Sequence, residues 1–446
     1  MQTRLARRRR RAADALGCVV VLALLVAAGA AFWQMPFVRD RLEWRLALFT
    51  ERVRDTLAPQ AAVLPTLNAT RAAPPSLIIA ASTATPSPAP TDPIFTATPT
   101  PPPTHTPTPI VLPPTVTLTG ARYEPQLFNN CGPATLTAAL VFWGWRGAQA
   151  DSLKWYGSGV DVRWQKDVAA VIKPDFEDRN VTPHELAAFA RQVGLSAIIR
   201  YGGDLDRVRV LAANGFPVIL ERAFLEAEHE QEGLGWEGHY SLVTGYDDEQ
   251  REFITQDSFK GPNYRRGYEA VALDWRAFNY VYVALASAER EAELLALLGA
   301  DADEQNNHLR ALSLAQSETQ TLTDPEQLAF AWHNAGVSLH YLGRDEEAAA
   351  AFDQARGYNT LPWRMLWYQH EMYAAYFGAG RHQDIIDLAT ALVVKPGLEE
   401  SYYWRARAYY ALGNTQQAEA DLREALRQHT NWGPARARMK EWGMRP

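Results

Sequence analysis

Cysteine is nearly absent from this chain. Of 446 residues only Cys18 and Cys131 carry a thiol, and Cys18 lies inside an apolar N-terminal run. Cys131 is therefore the one thiol of the polar remainder, which excludes an intrachain disulfide framework there. An unbridged thiol in that setting is instead a candidate nucleophile. A basic surplus is missing too: 44 Lys and Arg face 51 Asp and Glu, a net charge of -7. No general electrostatic footprint for nucleic acid follows from that balance. The sequence has no two-histidine zinc spacing on a helix, no phosphate-cradling glycine loop and no dinucleotide fingerprint. Neither a metal nor a cofactor is expected.

Long apolar runs are scarce as well, and residues 15–33 form the one that matters. At about 19 residues the run approaches the ~20 that a helix needs to cross a bilayer. Arg4 and Arg7 to Arg11 precede it. Such a flank stays in the cytoplasm, so residues 1–14 are expected inside, 15–33 as a signal anchor, and everything later outside the cell membrane. A cleaved signal peptide is the rival reading, because Ala28-Gly29-Ala30 offers a small-residue cleavage site. Residues 34–57 mix charges with helical periodicity and suggest a juxtamembrane amphipathic helix. Residues 58–120 are rich in Pro, Thr, Ala and Ser, too apolar-poor to fold, and read as an extended disordered stalk.

A globular unit is expected over 121–288. The spacing of Leu136, Ala139, Leu140 and Trp143 predicts a helix over 133–143. Thr182-Pro183-His184-Glu185 has the form of a capping box opening a second helix. Strands are predicted over 195–201, 216–224, 240–246, 252–256 and 280–285, with a helix over 204–214. Helices followed by a run of strands indicate an α+β fold with an antiparallel sheet. Beyond it, 289–446 turns helical with a period of roughly 34 residues. Trp332, Ala335, Gly336, Leu339, Gly343, Ala348, Phe352, Ala355 and Pro362 mark the clearest unit. Tyr376, Gly380, Ile385 and Pro396 keep the frame of a degenerate one, and Tyr402, Ala406, Tyr409, Gly413, Ala418, Leu422 and Ala425 form a third. This pattern resembles tetratricopeptide repeats, an all-α solenoid that implies a protein or peptide partner.

The chemistry gathers around Gln126-Leu-Phe-Asn-Asn-Cys131-Gly-Pro-Ala. A helix start offers unpaired N–H groups and a partial positive charge, which favour a thiolate at Cys131. The best histidine to take its proton is His239, which opens a predicted strand after Gly238. Asp257 ends the next strand, and a short antiparallel turn would set it beside His239 to orient the imidazole. Asp247, Asp248 and Asn263 are competitors for that place. Gln126, with the Cys131 N–H, could hold an oxyanion. The other readings are a buried small cysteine, a satisfied core histidine and a glutamine that merely ties a loop. His229, in an acidic stretch at 226–232, reads as part of a solvated charge run.

Gln126, Asn130-Cys131-Gly132-Pro133-Ala134, Gly238-His239-Tyr240 and Asp257 together resemble the papain-like cysteine peptidases, especially the branch related to bacteriocin-processing, double-glycine leader peptidases. The resemblance covers about 123–285. It implies Cys131 as nucleophile, His239 as general base, Asp257 as its orienting partner and Gln126 in the oxyanion hole. Ser258 stands where relatives often have proline. The expected function is a membrane-anchored extracytoplasmic cysteine peptidase whose repeats recruit a protein or peptide. A transpeptidase, thiol acyltransferase or amidase on the same fold, and a non-catalytic binding scaffold, are the alternatives.

Overall fold

The computed structural model describes residues 46, 49, 53, 63–65, 112–127, 129–147, 163–174, 178–224, 236–393 and 398–445. The expected anchor at 15–33, most of the amphipathic stretch at 34–57, most of the stalk and His229 lie outside the described residues. Leu46, Phe49 and Val53 of the amphipathic stretch are helical and exposed. Among the described residues no helix is long and apolar enough to cross a membrane.

An antiparallel sheet organises the first half of the described chain. Its strands are β1 (Thr115–Thr117), β2 (Ser196–Arg200), β3 (Val218–Phe224), β4 (Glu237–Asp247), β5 (Glu252–Asp257), β6 (Gly261–Gly267) and β7 (Tyr282–Ala286). They run in the order β2-β7-β3-β4-β5-β6, with β1 added beside β4. β3 and β4 are buried along nearly their whole length, because helices cover both faces. The helices Cys131–Phe142, Arg163–Ile172 and Pro183–Gln192 pack Leu136, Leu140, Val168 and Leu186 against Ile219, Leu242 and Val283 on one face. The helices Leu205–Ala213 and Tyr268–Arg276 pack Val208, Leu211, Val271 and Trp275 against Leu220, Val243 and Tyr282 on the other. This alternation is what a period of two requires of a sheet buried on both sides.

Local signals explain the element ends. The Thr182 side chain accepts from the Glu185 N–H and the Glu185 carboxylate accepts from the Thr182 N–H, a complete capping box with Pro183 in the first turn. Asp204 caps the Leu205–Ala213 helix by accepting from the Arg207 N–H.

The expected stalk at 58–120 is corrected at two places. Thr115–Thr117 is strand β1, paired with Gly245 to Asp247 of β4, so the globular unit begins before residue 121. Its Thr-Val-Thr sequence is β-branched throughout, which suits a strand better than an extended linker. Gly245 admits it, since a Cβ there would lie 2.1 Å from the Val116 carbonyl oxygen. The second place is Val63–Pro65. Leu64 is buried against the repeats, its N–H donates to the Leu361 carbonyl (2.8 Å), and Arg356 donates to the Pro65 carbonyl (2.8 Å). Burying one leucine stabilises by about 1.5–3 kcal/mol, which adds to these hydrogen bonds in offsetting the entropy of ordering the segment.

After Ala286 the described chain is helical. Glu291–Leu298 and Glu304–Thr321 precede successive helices joined by short turns: Pro325–Tyr341 and Asp345–Gly357, Glu371–Gly378 and His382–Val393, and Glu399–Ala411 and Thr415–Gln428. Gly433–Glu441 closes the series. These helices do not stand apart from the sheet unit. Phe278 and Val281 share a core with Leu339, Phe352 and Met365, and the Arg364 guanidinium pairs with Glu237 at 2.9 Å.

Candidate active site

Cys131 is the first residue of its helix, two residues before the expected start. Pro133 fits there because a first-turn N–H has no intrahelical acceptor to lose. Asn130 makes no side-chain cap, so the first-turn N–H groups are not spent on one. The Thr135 hydroxyl donates to the Tyr240 carbonyl at 3.1 Å, tying this helix to β4 beside His239. Cys131 forms no disulfide, and the residue as a whole is half-buried.

His239 sits near the start of β4, opposite Arg222 of β3. Extending the Leu242–Gln256 pairing of β4 and β5 by one residue sets Asp257 opposite Ser241. Period two then puts Arg222, His239 and Asp257 on one face. The structure brings them into contact. His239 Nε2 lies 3.0 Å from Asp257 Oδ1. That leaves Nδ1 clear of Asp257, and the Cys131 sulfur is near enough to the ring for each group to shift the other. Asp257 Oδ1 accepts further from the N–H groups of Phe259 and Lys260, both at 3.0 Å, and Oδ2 accepts from Arg222 at 3.0 Å.

The charges follow from these contacts. Burial pushes the His239 imidazolium down, but the Asp257 carboxylate and the Cys131 sulfur outweigh it and raise it to about 9. Burial pushes the Cys131 thiol up, but His239, the Tyr240 N–H and Lys173 outweigh it and bring the thiol down. Burial likewise works against the Asp257 carboxylate, and His239, Arg222 and the Lys260 N–H hold it far below the usual carboxylate range. Both shifts run toward a thiolate beside an imidazolium that is braced by a carboxylate.

Gln126 joins the same cleft. Its N–H donates to the Ser258 carbonyl (3.0 Å), and its side-chain oxygen accepts from the Ser258 hydroxyl (2.8 Å). With the oxygen held, the amide NH₂ is the end left to face a substrate. The Ser258 hydroxyl thus has a task here that proline could not perform. The competing acids lie elsewhere, at the far end of β4: Asp247, its last residue, pairs with Arg265 (3.2 Å), and Asp248, just after it, accepts from the Tyr268 hydroxyl (2.7 Å). Asn263 accepts from Gln256 at 2.9 Å.

Three contributors escaped sequence reasoning. Arg222 was legible only once the β3–β4 register was known. Lys173, at the end of the Arg163–Ile172 helix, is buried, donates to the Asn129 carbonyl at 2.9 Å and adds positive charge near the sulfur. Tyr368, from the helical C-terminal region, walls the cleft together with Phe224 and Phe259. Gly238 yields to rings, not to another backbone: a Cβ there would stand 2.9 Å from Phe278 and 3.0 Å from Tyr368.

Comparison with known proteins agrees with this architecture. Residues 118–286 match the Peptidase_C39 like family, and residues 399–428 match a tetratricopeptide repeat. A solved C39-like peptidase from Bacillus anthracis aligns at 14% identity with a TM-score of 0.28, over 39% of this chain and 98% of that one. No curated protein matches the chain. The chain thus carries a C39-like domain of α+β fold with an antiparallel sheet, followed by a helical region that includes a tetratricopeptide repeat.

Proposed function

We propose that this protein is a cysteine peptidase acting through Cys131, His239, Asp257 and Gln126. One observation carries the reading: the His239 ring is bonded to a buried carboxylate and lies close to the Cys131 sulfur, and both Cys131 and His239 line one cleft. The Cys131 thiolate attacks a peptide carbonyl. Gln126 and the Cys131 N–H take the oxyanion. The imidazolium gives its proton to the leaving amine, and a thioester remains. Water then attacks, His239 accepts its proton, and the acid product leaves with the thiolate restored. Asp257 keeps the ring oriented throughout.

The helical repeats are read as a recruiting surface for a protein or peptide, and residues 15–33 as the anchor that holds the enzyme on the outer side of the cell membrane. Digestion of a peptide library by the full chain, with Cys131→Ala as control, tests the activity. Cleavage by the parent and none by the variant is expected. Equal products from both chains, or none from the parent over a broad library, would favour a binding scaffold.

A further inference from the structure

Away from the cleft, three ligating side chains converge. Asp178, Glu399 and His429 each present one ligand atom within 4.8 Å of the other two. Their exposures are 2, 1 and 7%. They come from three separate places: the segment before the capping-box helix, the first turn of Glu399–Ala411, and the residue after Thr415–Gln428.

His429 Nδ1 lies 3.1 Å from Asp178 Oδ2 and 3.1 Å from Glu399 Oε1. A ring nitrogen carries at most one proton, and one N–H points well at a single acceptor. Here the hydrogen bond goes to Glu399. The second Glu399 oxygen, Oε2, is buried and has no hydrogen-bond partner among the described residues. Glu185 and Glu400 are near enough to act electrostatically on this group, with Lys173 as the neighbouring ammonium. Of these neighbours, Glu185 is held by its capping box, and Glu400 accepts from Asn180 and lies 3.9 Å from His370. A buried carboxylate oxygen with no donor, such as Glu399 Oε2, is costly, and binding a cation is one of the few remedies.

We propose that Asp178, Glu399 and His429 form a site for a divalent transition-metal ion of the zinc or manganese class, clasping the repeats to the wall of the cleft. The spacing suits it: N–O separations of 3.1 Å are close to the roughly 3.3 Å edge of a tetrahedron whose metal–ligand bonds are about 2.0–2.1 Å. One imidazole and two carboxylates suit zinc and manganese and do not suit thiophilic ions. A fourth position is left for water. The ion would act on the cleft through the chain itself, because Asp178 leads into Arg179, Asn180 and Val181, which line it. Asn180 also donates to Glu400 at 3.1 Å. This inference is independent of any catalytic role for Cys131.

The test uses the full chain carrying Cys131→Ser, so that the cleft thiol cannot hold metal. The protein is stripped with chelator, reloaded with zinc or manganese chloride, desalted and assayed for bound metal. About one retained equivalent is expected, with a thermal midpoint that rises with metal concentration. His429→Gln and Glu399→Gln in that background should lose the metal while keeping their circular dichroism. Retention below ~0.1 equivalent of both ions by the parent chain overturns the proposal, as does undiminished retention in both substituted chains. Should those chains fail to fold, cobalt(II) loading of the parent still decides. Absorption bands of a four-coordinate nitrogen and oxygen site support the clasp, and the six-coordinate spectrum of hydrated cobalt overturns it.

Discussion

At the residue scale the decisive feature is how one imidazole is shared. Nε2 goes to Asp257 while the Cys131 sulfur acts on the same ring, so the ring cannot turn without losing its carboxylate. Arg222 fixes the second carboxylate oxygen from a position that is itself buried. Removing one partner of a buried charge pair leaves the other uncompensated, which costs far more than a surface contact. The sign of the thiol's shift yields a pH prediction. His239, the Tyr240 N–H and Lys173 favour the thiolate against burial, so iodoacetamide should alkylate Cys131 with a midpoint below the ~8.5 of a free cysteine. In His239→Ala the opposing effect of burial is left less answered, and the midpoint should move up. A parent midpoint at or above the free-thiol value would mean that the imidazole and the sulfur do not share a proton.

At the element scale, caps and periodicity were legible where they act locally. Thr182-Pro183-His184-Glu185 closes its capping box with side chains three residues apart, so nothing distant was needed to read it. Strand β6 was not legible: Gly261-Pro262-Asn263-Tyr264-Arg265-Arg266-Gly267 has no apolar alternation, because it is an exposed edge strand with no core to face. The helix Tyr268–Arg276, which follows it directly, was missed with it. Strand β1 was hidden by the prolines before it, and only its pairing with Gly245 shows that the chain has entered the sheet. Gly245→Ala should therefore destabilise the fold by about 2–4 kcal/mol, since the added Cβ meets backbone, which cannot swing aside. A denaturant midpoint unchanged from the parent would mean that β1 contributes nothing to the sheet.

At the scale of the whole molecule, sheet unit and repeats share one interior. Tyr368 walls the cleft, Arg364 pairs with Glu237, the Gln369 amide donates to the Ala277 carbonyl (2.8 Å), and Trp236 stacks on Phe278 against the repeat core. The repeats are thus part of the cleft's construction, beyond any recruiting they do. Leu64 fastens a piece of the preceding segment to the same core. With residues 15–33 as an anchor, protease added outside intact cells should cut between residues 65 and 112 and leave a folded C-terminal fragment. An uncut chain in intact cells, with cutting after lysis, would place these units in the cytoplasm.

Sequence by itself determined what depends on neighbours along the chain: the α+β order of the first unit, the repeat frame, the capped helices, and the shortlist of Cys131, His239, Asp257 and Gln126. Tertiary structure alone decided which of three nearby aspartates meets the ring, that Arg222 and Lys173 surround the pair with charge, that Ser258 holds Gln126, and that Tyr368 from the helical C-terminal region walls the cleft. The reason is physical. Propensity, capping and periodicity act within a few residues, whereas hydrogen bonds and ion pairs act over a few ångströms of space, which only the strand register and helix docking bring about.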